Sequence, residues 1–129
     1  KEVPMDPQLA EDIYVLDRCV ECGCCIAGCG TVRIRPDFVG GVGINKIARF
    51  RLDPRDTRND ADYYDIVGDE SGVFGCMSLL ACHDFCPKEL PLKTQIAFIR
   101  RKMAEQGMRG YDKVLPTQKK AIPIKPARQ

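Results

Sequence analysis

Four cysteines, Cys19, Cys22, Cys25 and Cys29, stand in the order C-x2-C-x2-C-x3-C, and three more, Cys76, Cys82 and Cys86, follow as C-x5-C-x3-C with Pro87 next. Thiolates two residues apart on a tight loop reach three corners of an iron-sulfur cubane, and the loop amides face its sulfides and offset their negative charge. Gly23 and Gly28 relieve the steric limit on such a loop. When two clusters share this register, the fourth cysteine of each motif turns away to ligate the other cluster. Cys19, Cys22 and Cys25 with the crossing Cys86 therefore make four ligands, a 4Fe-4S site. Cys29, Cys76 and Cys82 remain. Laid over the first motif, the second has Leu79 where a cysteine would stand. A corner facing leucine has no thiolate to hold its iron, so three ligands suit a 3Fe-4S cluster with a higher reduction potential.

Other uses of the cysteines fit less well. Zinc sites pair C-x2-C or C-x2-H halves, and the second motif has no such pair. A disulfide framework would have to accommodate adjacent Cys24 and Cys25 and would leave the register unexplained. Cys24 is the eighth cysteine: either a replacement ligand or, the preferred expectation, a buried thiol acting as a small apolar side chain. His83, the single histidine, follows a ligand position. It could bond cluster sulfur, carry a coupled proton or sit on a helix surface.

Positioning seven thiolates requires elements around two loops. Pro7 at a first helical position, with Asp6 as its cap, predicts a helix over 7–18 that leads into Cys19. Residues 19–30 hold five cysteines and three glycines, too little apolar surface for a strand or core helix, and predict a loop wrapped around a group. Phe38 to Gly43 reads as a flexible break. Ile44, Ile47, Ala48 and Leu52 then recur at helical spacing up to Pro54. Residues 60–67 predict a helix with early carboxylates, ended by Gly68. Gly72 and Gly75 bracket a turn into Cys76, and residues 76–85 predict a short interrupted helix. Leu92, Ile96, Ile99 and Met103 form the clearest amphipathic pattern, with Gly107 as its stop. No strand pattern is persuasive. The expected fold is all-α.

The chain has 129 residues, 20 basic and 18 acidic, a formal net charge of +2 that gives no footprint for a nucleic-acid partner. The excess is uneven: residues 108–129 carry net +5, residues 1–107 net −3. Residues 1–107 are thus expected to be the domain and 108–129 a basic, proline-bearing extended tail, lying on an anionic membrane or wrapping a partner. The arginines from Arg49 to Arg58 suit either docking or a salt-bridged face. No stretch approaches the ~18 apolar residues of a membrane span. The opening Lys1-Glu2-Val3-Pro4 reads neither as a signal peptide nor as a natural start, so a longer parent is expected.

The two motifs, with Leu79 in the gap, resemble the C-terminal alpha-helical ferredoxin-like domain of the iron-sulfur subunit of succinate dehydrogenase and fumarate reductase. The wording Cys22-Gly-Cys-Cys-Ile-Ala-Gly-Cys-Gly-Thr31, then Asp62-Tyr-Tyr64, then Gly72-Val-Phe-Gly-Cys-Met-Ser-Leu-Leu-Ala-Cys-His-Asp84, is similar to bacterial fumarate reductases with a dihaem cytochrome b anchor. The resemblance covers about residues 5–105. It implies an electron relay between a flavoprotein and a membrane cytochrome b anchor with its quinone, peripheral on the cytoplasmic face of the inner membrane, with no substrate chemistry of its own. It matches Cys19, Cys22, Cys25 and Cys86 to 4Fe-4S ligands and Cys29, Cys76 and Cys82 to 3Fe-4S ligands. The family's 2Fe-2S domain, with its C-x4-C-x2-C signature, is absent from this chain. Gly30 replaces the proline many relatives carry after the fourth cysteine, which implies a looser turn at Cys29. Met77 replaces a histidine and there is no tryptophan, which implies transfer to a haem rather than direct quinone contact. A two-cluster ferredoxin or heterodisulfide-reductase-like carrier normally uses eight ligands, and a structural zinc module is the other alternative.

Overall fold

The protein is described by a computed structural model that covers residues 2–114. In chain order the helices are α1 (Pro7–Asp17), α2 (Cys24–Ala27), α3 (Gly30–Ile34), α4 (Gly40–Leu52), α5 (Asp60–Val67), α6 (Ala81–Asp84) and α7 (Leu92–Val114), with a single 3-10 turn at Val73–Gly75 before α6. The described residues contain no strand. The all-α expectation holds.

Local chemistry explains the long helices. Asp6 accepts from the amides of Gln8 and Leu9 at 3.0 and 3.1 Å and caps α1. Asn59 accepts from the amides of Ala61 and Asp62, and the Asp62 carboxylate accepts from the Asn59 amide, a reciprocal capping box on α5. α4 and α7 form the main packing layer, with α5 against α7 and α1 against α4. Leu16 of α1, Ile44 and Ala48 of α4, Tyr63 and Val67 of α5, and Leu92, Ile96, Ile99 and Met103 of α7 fill one core. Burying each large apolar side chain contributes roughly 1.5–3 kcal/mol. Six of the cysteines pack against or within the same cluster.

Three expectations are corrected. The glycine-rich stretch at 40–43 is the first turn of α4 and not a flexible break. There Gly41 supplies close approach: a Cβ at this position would lie 3.2 Å from the Cβ of Cys82 and 3.5 Å from that of Cys25. Gly107 does not stop α7, which continues to Val114, so residues 108–114 are helical; the remainder of the predicted tail, 115–129, lies outside the described residues. A Cβ at Gly107 would sit 3.2 Å from the Tyr64 hydroxyl, so this glycine lets α7 lie close to α5. In 76–85 only Ala81–Asp84 is helical, because Ser78 and Leu80 adopt the left-handed conformation at φ 57° and 62° and break the run.

The arginine segment is a salt-bridged face. Arg49 pairs with Asp17 at 2.7 Å, Arg51 with Asp60 at 2.5 Å and Arg55 with Asp53 at 2.6 Å, and Arg58 pairs with Asp56. Arg58 also lies over the rings of Phe50 and Tyr63. The Arg55 guanidinium holds the Asp53 carboxyl down to about 2, against the opposing effect of burial. Among the described residues no helix is long and apolar enough to cross a membrane.

Candidate metal centre

Two cavities lie side by side, and the cysteines divide between them. Cys19, Cys22, Cys25 and Cys86 line the first, together with Val42 of α4, Leu90 just before α7 and Leu92 at its start. Cys29, Cys76 and Cys82 line the second, with Ile44 of α4, Ile96 of α7 and Leu79. They enclose about 380 and 330 Å³ of space, part of it open to solvent. Among the described residues, no three His, Cys, Asp or Glu side chains converge closely enough to hold a single metal ion. Thiols spread around an apolar cavity are the donor set for a multi-iron cluster and fit a single zinc ion poorly.

The division follows from local structure. Cys19 follows directly on the C-cap of α1, and the chain reverses through Glu21 at φ 55° and Gly23 at φ 81° before Cys24 opens α2. Cys29 stands at the N-cap position of α3, whose helix begins at Gly30, and makes no side-chain bond to its amides. A Cβ on Gly30 would stand 2.8 Å from Cδ1 of Leu79, which places Leu79 over this corner of the second cavity. Cys82 lies in α6, and Cys86 in the turn beyond it. The backbone between α6 and α7 is tied back by His83, whose Nδ1 lies 3.1 Å from the Leu90 carbonyl. His83 lines neither cavity and is half-buried, in keeping with a helix-surface position.

The surroundings treat the cysteine thiols differently. The Ser78 amide donates to Sγ of Cys76 at 3.4 Å, an amide facing a cysteine sulfur. Burial pushes the Cys25 and Cys82 thiols up, so metal loading at these positions releases protons. The Cys24 amide and thiol, both bonded to the Cys22 sulfur, hold Cys22 below its ordinary value, and the same pairing pushes Cys24 up. Cys24 lines neither cavity and is exposed, which corrects its expected burial: at the first position of α2 it faces outward beside Cys22.

Three residues at these sites have no signal in the cysteine spacing. Asn45, fully buried, lines the first cavity; its amide donates to the Leu16 carbonyl at 3.1 Å while its Oδ1 has no partner among the described residues. Thr31, buried on the wall of the second cavity, accepts from the Met77 amide at 3.3 Å. Arg100 donates to Ser78 Oγ at 2.8 Å, to the Cys76 carbonyl at 2.5 Å and to the Val73 carbonyl at 3.4 Å. Its place four residues beyond Ile96, on the same side of α7, is the one sequence cue.

A family profile described as a 4Fe-4S dicluster domain matches residues 15–90. The chain is 59% identical over 102 residues to the fumarate reductase iron-sulfur subunit of Wolinella succinogenes, covering 79% of this chain and 43% of that protein. It is 30% identical over 98 residues to the succinate dehydrogenase iron-sulfur subunit of Bacillus subtilis, covering 76% and 39%. It is 31% identical over 111 residues to the succinate dehydrogenase iron-sulfur subunit of Coxiella burnetii, covering 85% and 47%. The chain thus spans less than half the length of these relatives.

Proposed function

Because the chain belongs to the 4Fe-4S dicluster domain family and is similar over most of its length to iron-sulfur subunits of fumarate reductase and succinate dehydrogenase, we propose that it is the two-cluster portion of such a subunit. In this reading it relays single electrons between a flavoprotein and a membrane cytochrome b anchor with its quinone, held peripherally at the cytoplasmic face. A 2Fe-2S domain belongs to the remainder of the parent subunit. The flavoprotein performs the interconversion of succinate and fumarate.

The observation that carries the reading is the split of seven cysteines, four around one cavity and three around the other, with Leu79 at the second. Cys19, Cys22, Cys25 and Cys86 would hold a 4Fe-4S cluster, and Cys29, Cys76 and Cys82 a 3Fe-4S cluster. When bound, these groups supply one-electron oxidation and reduction at potentials set by charge, hydrogen bonds and burial. The protein's own residues set those conditions. Leu90 and Leu92 beside the first site, and Phe38, Ile44 and Ile96 beside the second, exclude water. The Ser78 amide offsets charge on the Cys76 sulfur. Gly41, with no side chain, lets Cys25 and Cys82 approach from the two sites across one stretch of backbone.

Metal analysis and EPR on anaerobically prepared chain test the proposal. The expected result is about seven irons per chain and an oxidised-state EPR signal of the 3Fe type. About eight irons without that signal would assign the chain to two-cluster ferredoxins. Zinc in place of iron would overturn both readings.

A further inference from the structure

The segment from Cys76 to Leu80 is the least regular part of either site. It carries two non-glycine residues in the left-handed region, Ser78 and Leu80, with one residue between them. Each such residue costs on the order of 1–3 kcal/mol and persists only where its surroundings hold it. Two side chains from elsewhere in the fold reach this segment. Thr31 takes the Met77 amide. Arg100 takes three acceptors distributed around the Cys76 thiol: the Val73 carbonyl before it, the Cys76 carbonyl itself and the Ser78 hydroxyl after it. The Cys76 sulfur meanwhile keeps the Ser78 amide and lines the second cavity.

Resting on the two-cluster reading above, the geometry points to Arg100 as the positioning residue of the three-cysteine site: it fixes the Cys76 loop so that the thiolate faces the cavity, and it holds one uncompensated positive charge beside that site. A planar fork serves three acceptors on separate residues, whereas a lysine ammonium is a compact point charge without that geometry. Arg100 differs in its partners from the ion-paired cations. Arg49, Arg51, Arg55 and Arg58 are neutralised by aspartates, and Arg101 and Lys102 lie near Glu105. Arg100 bonds only neutral acceptors among the described residues. Among the described residues no acidic side chain lines the second cavity. A guanidinium in this setting favours the more negative, reduced form of whatever the three thiolates hold, and thus a higher potential.

The test is potentiometric EPR and iron analysis on the intact membrane complex carrying Arg100→Gln, Arg100→Lys or Ser78→Ala. Arg100→Gln is expected to lower the potential of the 3Fe-type signal and to reduce its intensity per complex, leaving the signal of the four-cysteine site at wild-type intensity. Arg100→Lys should lose intensity but keep a potential closer to wild type, which separates positioning from charge. Ser78→Ala, which removes one acceptor and no charge, should leave the potential unchanged. Wild-type intensity and potential in Arg100→Gln would overturn the inference. Equal loss of both signals would do the same, since that reports general unfolding. Equal potential drops in the Gln and Lys variants would remove the charge component. Absence of a 3Fe-type signal from the unaltered complex would instead defeat the two-cluster reading on which the inference rests.

Discussion

Leu79 is 63% exposed, borders the second cavity and touches the space above Gly30. A thiol in its place would add a fourth to the three around that cavity. Leu79→Cys is expected to raise the iron count by about one per chain, abolish the 3Fe-type EPR signal and lower the potential of that site. An unchanged count and potential would contradict the ligand assignment. Residue spacing makes the division of thiols legible, because a crossing fourth cysteine is a property of chain register alone. The supporting residues are not legible in the same way. Thr31, Asn45 and Arg100 act on backbone groups 46, 29 and 24 to 27 residues away, and separations of that kind are set by packing. Cys24 departs from expectation for a related reason: composition predicts burial for a thiol, while its exposure depends on the face of a four-residue helix.

At the scale of elements, helix starts are readable from polar side chains and helix ends from glycine only in part. Asp6 and Asn59 cap α1 and α5 through their side-chain oxygens. Replacing Asn59 by Ala removes the acceptor for two amides of α5 and is expected to cost about 1 kcal/mol. The thermal midpoint of the loaded protein should fall by several degrees with its iron content unchanged. Iron loss in parallel would mean that α5 supports the metal sites directly, contrary to the arrangement of the helices. Gly68 ends α5 as expected, but Gly107 lies inside α7, and the glycines at 40–43 open α4. One residue type serves two purposes, permissive backbone and absence of side-chain bulk. Only the neighbour, here Tyr64 for one glycine and two cysteines for another, decides which applies.

For the whole molecule, the cysteine loops and the apolar core form one body: Cys82 is part of the buried cluster, and Cys19, Cys25, Cys29, Cys76 and Cys86 pack on it. Removing the metal groups should therefore not leave a rigid scaffold with empty holes. Chelation under anaerobic conditions is expected to raise amide hydrogen exchange first in residues 19–34 and 76–90, with the α4 and α7 interiors protected longer. Uniform exchange across the chain, or none, would contradict this order. The salt-bridged arginine face takes no part in that process, since its partners lie on α1, α5 and the α4–α5 connection. Gly41 bears on how the two cavities can be altered. A single methyl there would press on Cys82 while resting in ordinary contact with Cys25, so the two compartments share a party wall one peptide thick. Swelling on either side is transmitted to the other, and an engineer who enlarges one chamber must re-fit its neighbour as well.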